Sequence, residues 1–151
     1  MKRFRFPLRP VAVLRAHREL RAQEAFGAAV HAFVIAEKEL AATRERVARY
    51  EAALSAGRGG CFSAADQARA LAAYGHECNA ELASERSMIA ARTTMGQKRA
   101  EYLEAHRKLE VVKKLEEKAR TEHRLEANRE EQAEFDDFAG RRVSRRSLFP
   151  V

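Results

Sequence analysis

The chain has no tryptophan, 2 cysteines, 3 prolines and 7 glycines in 151 residues, and only 7% of it is aromatic. Each scarcity excludes something. Without Gly/Pro clusters at short, regular intervals there is no basis for a many-stranded sandwich or barrel. Cys61 and Cys78 are too few for a disulfide framework and too far apart for a CxxC pair, so a reduced, cytosolic setting is the simpler expectation. Long apolar runs are missing as well. After the basic stretch from Met1 to Pro10, Val11-Ala12-Val13-Leu14 is ended by Arg15, too short for a signal peptide or a membrane span.

The same scarcity argues against catalysis. Neither a GxGxxG nor a Walker A pattern is present, and no Ser/His/Asp or Cys/His/Asp set stands in a recognisable local motif. Cys61, His76 and Cys78, with His17, His31, His106 and His123 elsewhere, fit no zinc spacing. The expectation is therefore no catalytic residues, no metal, no cofactor and no small-molecule substrate: not an enzyme.

What is abundant is helix-forming. Ala (30), Glu (19), Lys (7), Arg (22) and Leu (12) make 90 of the 151 residues, above the roughly 50% that marks coiled coils and long helices. Much of the 46% hydrophobic content is alanine, which favours helix without filling a thick core. The formal charge of +7 is uneven. Residues 1–21 carry seven Lys/Arg against Glu19, and residues 139–151 carry Arg141, Arg142, Arg145 and Arg146 with no acid, so the stretch between them is mildly acidic. Basic ends are compatible with phosphate contacts, but a nucleic-acid-binding helix more often carries a continuous basic stripe, which disfavours nucleic acid as a partner.

Punctuation divides a single coiled-coil domain, residues 1–151, into four parts. Pro7 and Pro10 suit a helix start. From Pro10 to about Ala56 only Gly27 interrupts, so a first helix spans about 10–56, and Gly57-Arg58-Gly59-Gly60 opens a turn over 57–62. Ser63 with Asp66 resembles a capping box, starting a second helix of about 63–139. Gly140 is placed to supply a left-handed C-cap, leaving a basic tail at 140–151.

Apolar spacing predicts how the helices pair. Phe26, Phe33, Leu40, Val47 and Leu54 recur every seven residues, with Ala29, Ala36, Thr43 and Tyr50 interleaved, as an a/d seam. Upstream, Val13, Ala16, Leu20 and Gln23 meet Phe26 through a three-plus-three step, a stammer. The second helix reads Leu71, Gly75, Cys78, Leu82, Glu85 and Ile89, a second stammer at Arg92 and Met95, then Tyr102, Leu109, Val112 and Ala119. The fold class predicted is all-α: a long antiparallel two-helix coiled coil, with opposed residue numbers summing to about 119 if the hairpin closes at the Gly-rich turn. Pro10 then lies near Leu109, and the longer second helix overhangs from about residue 110 to 139, roughly 45 Å.

With the pairing in view, a family resemblance follows from the residues. Phe6-Pro7-Leu8, Val13-Leu14 and Arg18-Glu19 near the start, the charged run Lys113-Lys114-Leu115-Glu116, and above all the ending Glu134-Phe135-Asp136-Asp137-Phe138-Ala139 resemble the FliJ family of the flagellar type III export apparatus. The family typically closes with an acidic pair, a hydrophobic residue and Ala before a basic tail; here Asp137 stands where Glu is common.

The resemblance implies a stalk-like cytoplasmic protein at the cytoplasmic face of the inner membrane, peripheral to it through its partners, serving flagellum biogenesis and hence motility and chemotaxis. Those partners are a hexameric export ATPase, whose assembly and activity it promotes, an export-gate membrane protein, and export chaperones. On this reading the overhang contacts the ATPase through Leu125, Phe135 and Phe138 with Arg141, Arg142, Arg145 and Arg146, and the gate is met by Tyr74 and, less well matched, Cys78. Alternatives stay open: the equivalent stalk of a non-flagellar type III secretion system, or a nucleic-acid-binding helical hairpin using its basic ends. Tyr74 can equally be seam-edge packing, Phe135 and Phe138 frayed last turns, and the arginines a solubilising tail.

Overall fold

A computed structural model describes residues 3–57, 60 and 63–147, with 142–147 as backbone alone. The fold is all-α, as expected: α1 spans Arg9–Gly57 and α2 spans Ala64–Ser147, 49 and 84 residues, so the second helix is the longer. Leu8 opens α1 by accepting the Ala12 N–H at 3.0 Å, with Pro10 in the first turn where its missing donor is harmless. Ser63 stands at the N-cap of α2, its carbonyl accepting the N–H groups of Asp66 and Gln67, and the Asp66 carboxylate favours the positive end of the helix. Cys61, one of the residues weighed as a metal ligand, lies outside the described residues.

The contacts fall into two units, Glu19–Glu104 and Met1–Arg18 with Ala105–Val151. In Glu19–Glu104 the two helices run antiparallel. On α1 the seam is Phe26, Ala29, Phe33, Ala36, Leu40, Thr43, Val47 and Leu54, with Leu40 4% and Thr43 2% exposed. Thr43 is a polar residue in an apolar seam, and its hydroxyl is satisfied within its own helix by the Leu40 carbonyl at 2.8 Å and the Glu39 carbonyl at 3.1 Å. Arg44 pairs with Glu81 and Glu85, Arg46 with Glu77, and Glu51 accepts a hydrogen bond from the Tyr74 hydroxyl. Phe26 stacks on Tyr102 with centroids 6.1 Å apart.

These contacts correct the expected register. Opposed residue numbers sum to between 123 and 129 rather than about 119, a slide of roughly one heptad. Centring the hairpin on its glycines ignores side chains; the aromatic stack and the crossed ion pairs select the neighbouring register.

The seam on α2 is corrected as well. Leu71, Leu82 and Ile89 are each more than half exposed. A continuous row of half-buried positions runs Ala70, Tyr74, Glu77, Glu81, Ser84, Met88, Ala91, Met95, Lys98 and Tyr102, alternating four and three residues without a break, with Ala73, Gly75, Cys78, Ala80 and Glu85 half-buried beside it. On α1 the row continues upstream as Ala22 and Glu19, and Leu20 is 51% exposed. Neither stammer exists. Following the largest aliphatic residues led off the seam, because two helices that pack through alanine and serine place small and long charged side chains at the contact and send Leu82 and Ile89 outward.

In the second unit, Leu109 and Val112 are buried, each 7% exposed, in the row Ala105, Leu109, Val112, Glu116, Ala119 and His123 on α2. Phe4 meets the His123 ring edge-on at 5.4 Å, and the Arg120 guanidinium lies 5.8 Å from the Phe4 ring centre. The chain before α1 therefore covers α2 as far as His123, so the overhang starts there and not at residue 110. At the other end α2 runs through Gly140 to Ser147, with no positive φ at any described glycine. The expected C-cap at Gly140 is replaced by continuing helix through Ser147, and residues 148–151 of the expected tail lie outside the described residues.

Candidate functional site

Beyond His123, α2 carries Leu125, Phe135 and Phe138 at 53, 72 and 63% exposure, and Arg141 is exposed. The side chains of Arg142, Arg145 and Arg146 lie outside the described residues. At about 100° per residue, Phe135 and Phe138 sit some 60° apart on one side of the helix, while Leu125 is about 80° from Phe135 and about 140° from Phe138. The apolar residues of this segment thus span about 140°, one broad side of the helix. Between them Glu130, Glu131, Glu134, Asp136 and Asp137 make an acidic stretch.

Tyr74 and Cys78 are half-buried neighbours one turn apart. The Tyr74 hydroxyl donates to Glu51 Oε1 at 2.9 Å. Ionising the phenol would break its hydrogen bond to the Glu51 carboxylate and set two negative charges against each other, and this, together with the adjacent Cys78 thiol, pushes the Tyr74 pKa up to about 12. Tyr74 thereby ties α2 to α1 and leaves its ring edge, not its hydroxyl, for other contacts.

The Phe4 contact is the feature that sequence reading missed. Phe4, Arg5, Phe6, Pro7, Arg9 and Pro10 face Glu116 and Arg120 across a groove, and Arg120 is held to Glu116 at 3.2 Å. The alternation of Arg3, Phe4, Arg5 and Phe6 was its signal: every second residue is an apolar ring able to turn toward a helix. Nearby, Lys113 at 2.8 Å holds the Glu110 carboxyl below the usual carboxylate range.

Among the described residues no group of three His, Cys, Asp or Glu side chains is placed to hold a metal ion, and no helix is long and apolar enough to cross a membrane. The fold defines a two-helix coiled-coil protein whose second helix is the longer. A family model for the flagellar FliJ protein matches residues 4–148. The chain belongs to the FliJ family, a non-catalytic component of the flagellar protein-export apparatus. No curated protein and no solved structure matches it.

Proposed function

We propose that this protein is the stalk of the export ATPase: the end of α2 enters the central pore of the hexamer, promoting its assembly and activity. The observation that carries this reading is the continuation of α2 past the Phe4 contact at His123, with Leu125 and Phe135 more than half exposed. Leu125, Phe135 and Phe138 give this end a broad apolar side of about 140° to set against the inner wall of the ring. Binding the assembled ring and not the separate subunits favours the ring by mass action. Leu125, Phe135 and Phe138 supply apolar contact, with Arg141, Arg142, Arg145 and Arg146 as the charged end. In the same reading Tyr74 and Cys78 contact the export gate, export chaperones are further partners, and the protein works in the cytoplasm, held at the inner membrane through the apparatus.

The test is ATP turnover and hexamer formation of the cognate export ATPase with and without this protein. Truncation after Glu134 should abolish stimulation while circular dichroism still reports the paired helices. Unchanged stimulation by the truncated protein overturns the placement.

A further inference from the structure

A second surface, independent of the α2 end, lies on one flank of the Glu19–Glu104 hairpin. The flank is identified by Arg44, which reaches from α1 to Glu81 and Glu85 on α2. Seven-residue spacing from Arg44 leads back along α1 through Glu37, Val30 and Gln23, and the next row outward is Val34, Gly27 and Leu20. From Glu85 the same spacing leads along α2 through Arg92 and Arg99, and its outer row is Leu82, Ile89, Gly96 and Leu103. Both helices therefore show a second apolar row on the same side of the pair. Leu20, Val34, Leu82, Ile89 and Leu103 are 37–54% exposed, although none of them serves the seam.

The two rows are notched together. Between the registers set by Arg44 on Glu81 and by Phe26 on Tyr102, Gly27 and Gly96 stand two to five residues, about 3–8 Å, from the same level. Glycine in mid-helix weakens the helix, and a Cβ built on either residue would meet nothing within 4 Å. Among the described residues nothing needs either side chain to be missing. On each helix the glycine lies midway between large aliphatic residues, Leu20 and Val34 on α1, Ile89 and Leu103 on α2. Fourteen residues separate each flanking pair in the sequence. That opens a saddle of about 21 Å, wide enough for one helix of about 10–12 Å diameter.

Charge selects the occupant. Arg92 and Arg99 lie between the two apolar rows, and neither makes an ion pair among the described residues. The carboxylates Glu51, Glu81 and Glu85 lie toward the turn, beyond the saddle, where Arg44 and Tyr74 engage them; within the saddle the inner rows hold Gln23, Val30, Arg92 and Arg99, with Glu37 at its edge. A second copy docked face to face would bring four arginines together. We infer that the Gly27/Gly96 saddle receives an acidic amphipathic helix of a partner protein, its small or aliphatic side seated between Leu20, Leu103, Val34 and Ile89, and its carboxylates on Arg92 and Arg99.

The probe is a stapled, fluorescein-labelled helix of about three heptads with Ala and Leu on one side and Glu beside them, read by anisotropy against the full chain. A twin with Lys for each Glu is the control. The Glu helix should bind and the Lys helix should not. Arg92→Glu with Arg99→Glu should weaken the Glu helix at least tenfold and rescue the Lys helix. Gly27→Leu with Gly96→Leu should abolish binding while circular dichroism stays helical, and if that variant misfolds the charge reversal still decides. Equal binding of both probes, no effect of charge reversal, or a homodimer in sedimentation equilibrium that the Gly→Leu pair dissolves would each overturn the inference. Stimulation of the ATPase is not a readout here, so failure at the saddle and failure of the stalk reading remain separable.

Discussion

Tyr74 shows how one side chain serves the pair of helices. Its hydroxyl bond to Glu51 exists only in the protonated form, which is why its pKa is pushed up to about 12 from 10.0. The folded value lies above the unfolded one, so the contribution to stability is complete below about pH 10 and is lost as pH rises through about 12. In a spectroscopic titration of the native protein, a phenolate absorbance step near pH 12 should disappear in Tyr74→Phe. A late step that survives in this variant would assign the shift elsewhere. The ion pairs Arg44–Glu81 and Arg46–Glu77 act differently: their side chains are 18–56% exposed, so each adds only about 0.2–1 kcal/mol and chiefly fixes register.

At the scale of the element, the seam decides which aliphatic residues matter. Leu40→Ala and Leu109→Ala, 4% and 7% exposed in the parent, should each cost about 2–4 kcal/mol in chemical denaturation. Leu82→Ala and Ile89→Ala should stay within about 0.5 kcal/mol, because both residues are already more than half exposed. The opposite order would restore the row of large aliphatics that spacing alone suggests. Gly27→Ala and Gly96→Ala should each raise stability by about 0.8–1 kcal/mol, since the added methyl meets nothing and the helix gains propensity; a fall in melting temperature would contradict it. The α1 seam was legible in the sequence because Phe26, Phe33, Leu40 and Val47 are large enough to stand out in a heptad. The α2 seam was not, because Ala70, Glu77, Glu81, Ser84 and Ala91 look like surface until a partner lies on them. Of the proposed sites, the exposure of Leu125, Phe135 and Phe138 was readable in advance, whereas the Tyr74–Glu51 bond and the paired glycine levels need the register.

For the whole molecule, stability should be graded along the helices. In native-state hydrogen exchange, amides of Ala29–Val47 and those around Leu109 and Val112 should be the most protected, and amides from Arg124 to Ser147 should exchange within the shortest times; uniform protection would show that the α2 end packs on something in the isolated protein. The sequence by itself determined that the chain is helical, that it turns back once near residues 57–63, that the second helix is longer, and that the family is FliJ. Those properties reside in local propensity, punctuation and pattern, which neighbours in the chain suffice to specify. Only the tertiary structure decided the register, the unbroken α2 seam, and the reach of Phe4 to His123 that shortens the bare end. The reason is that alternative registers of an alanine-rich pair differ by a heptad that buries nearly the same apolar area. The choice then falls to a few long-range contacts, an aromatic stack and three crossed ion pairs, between residues far apart in the sequence.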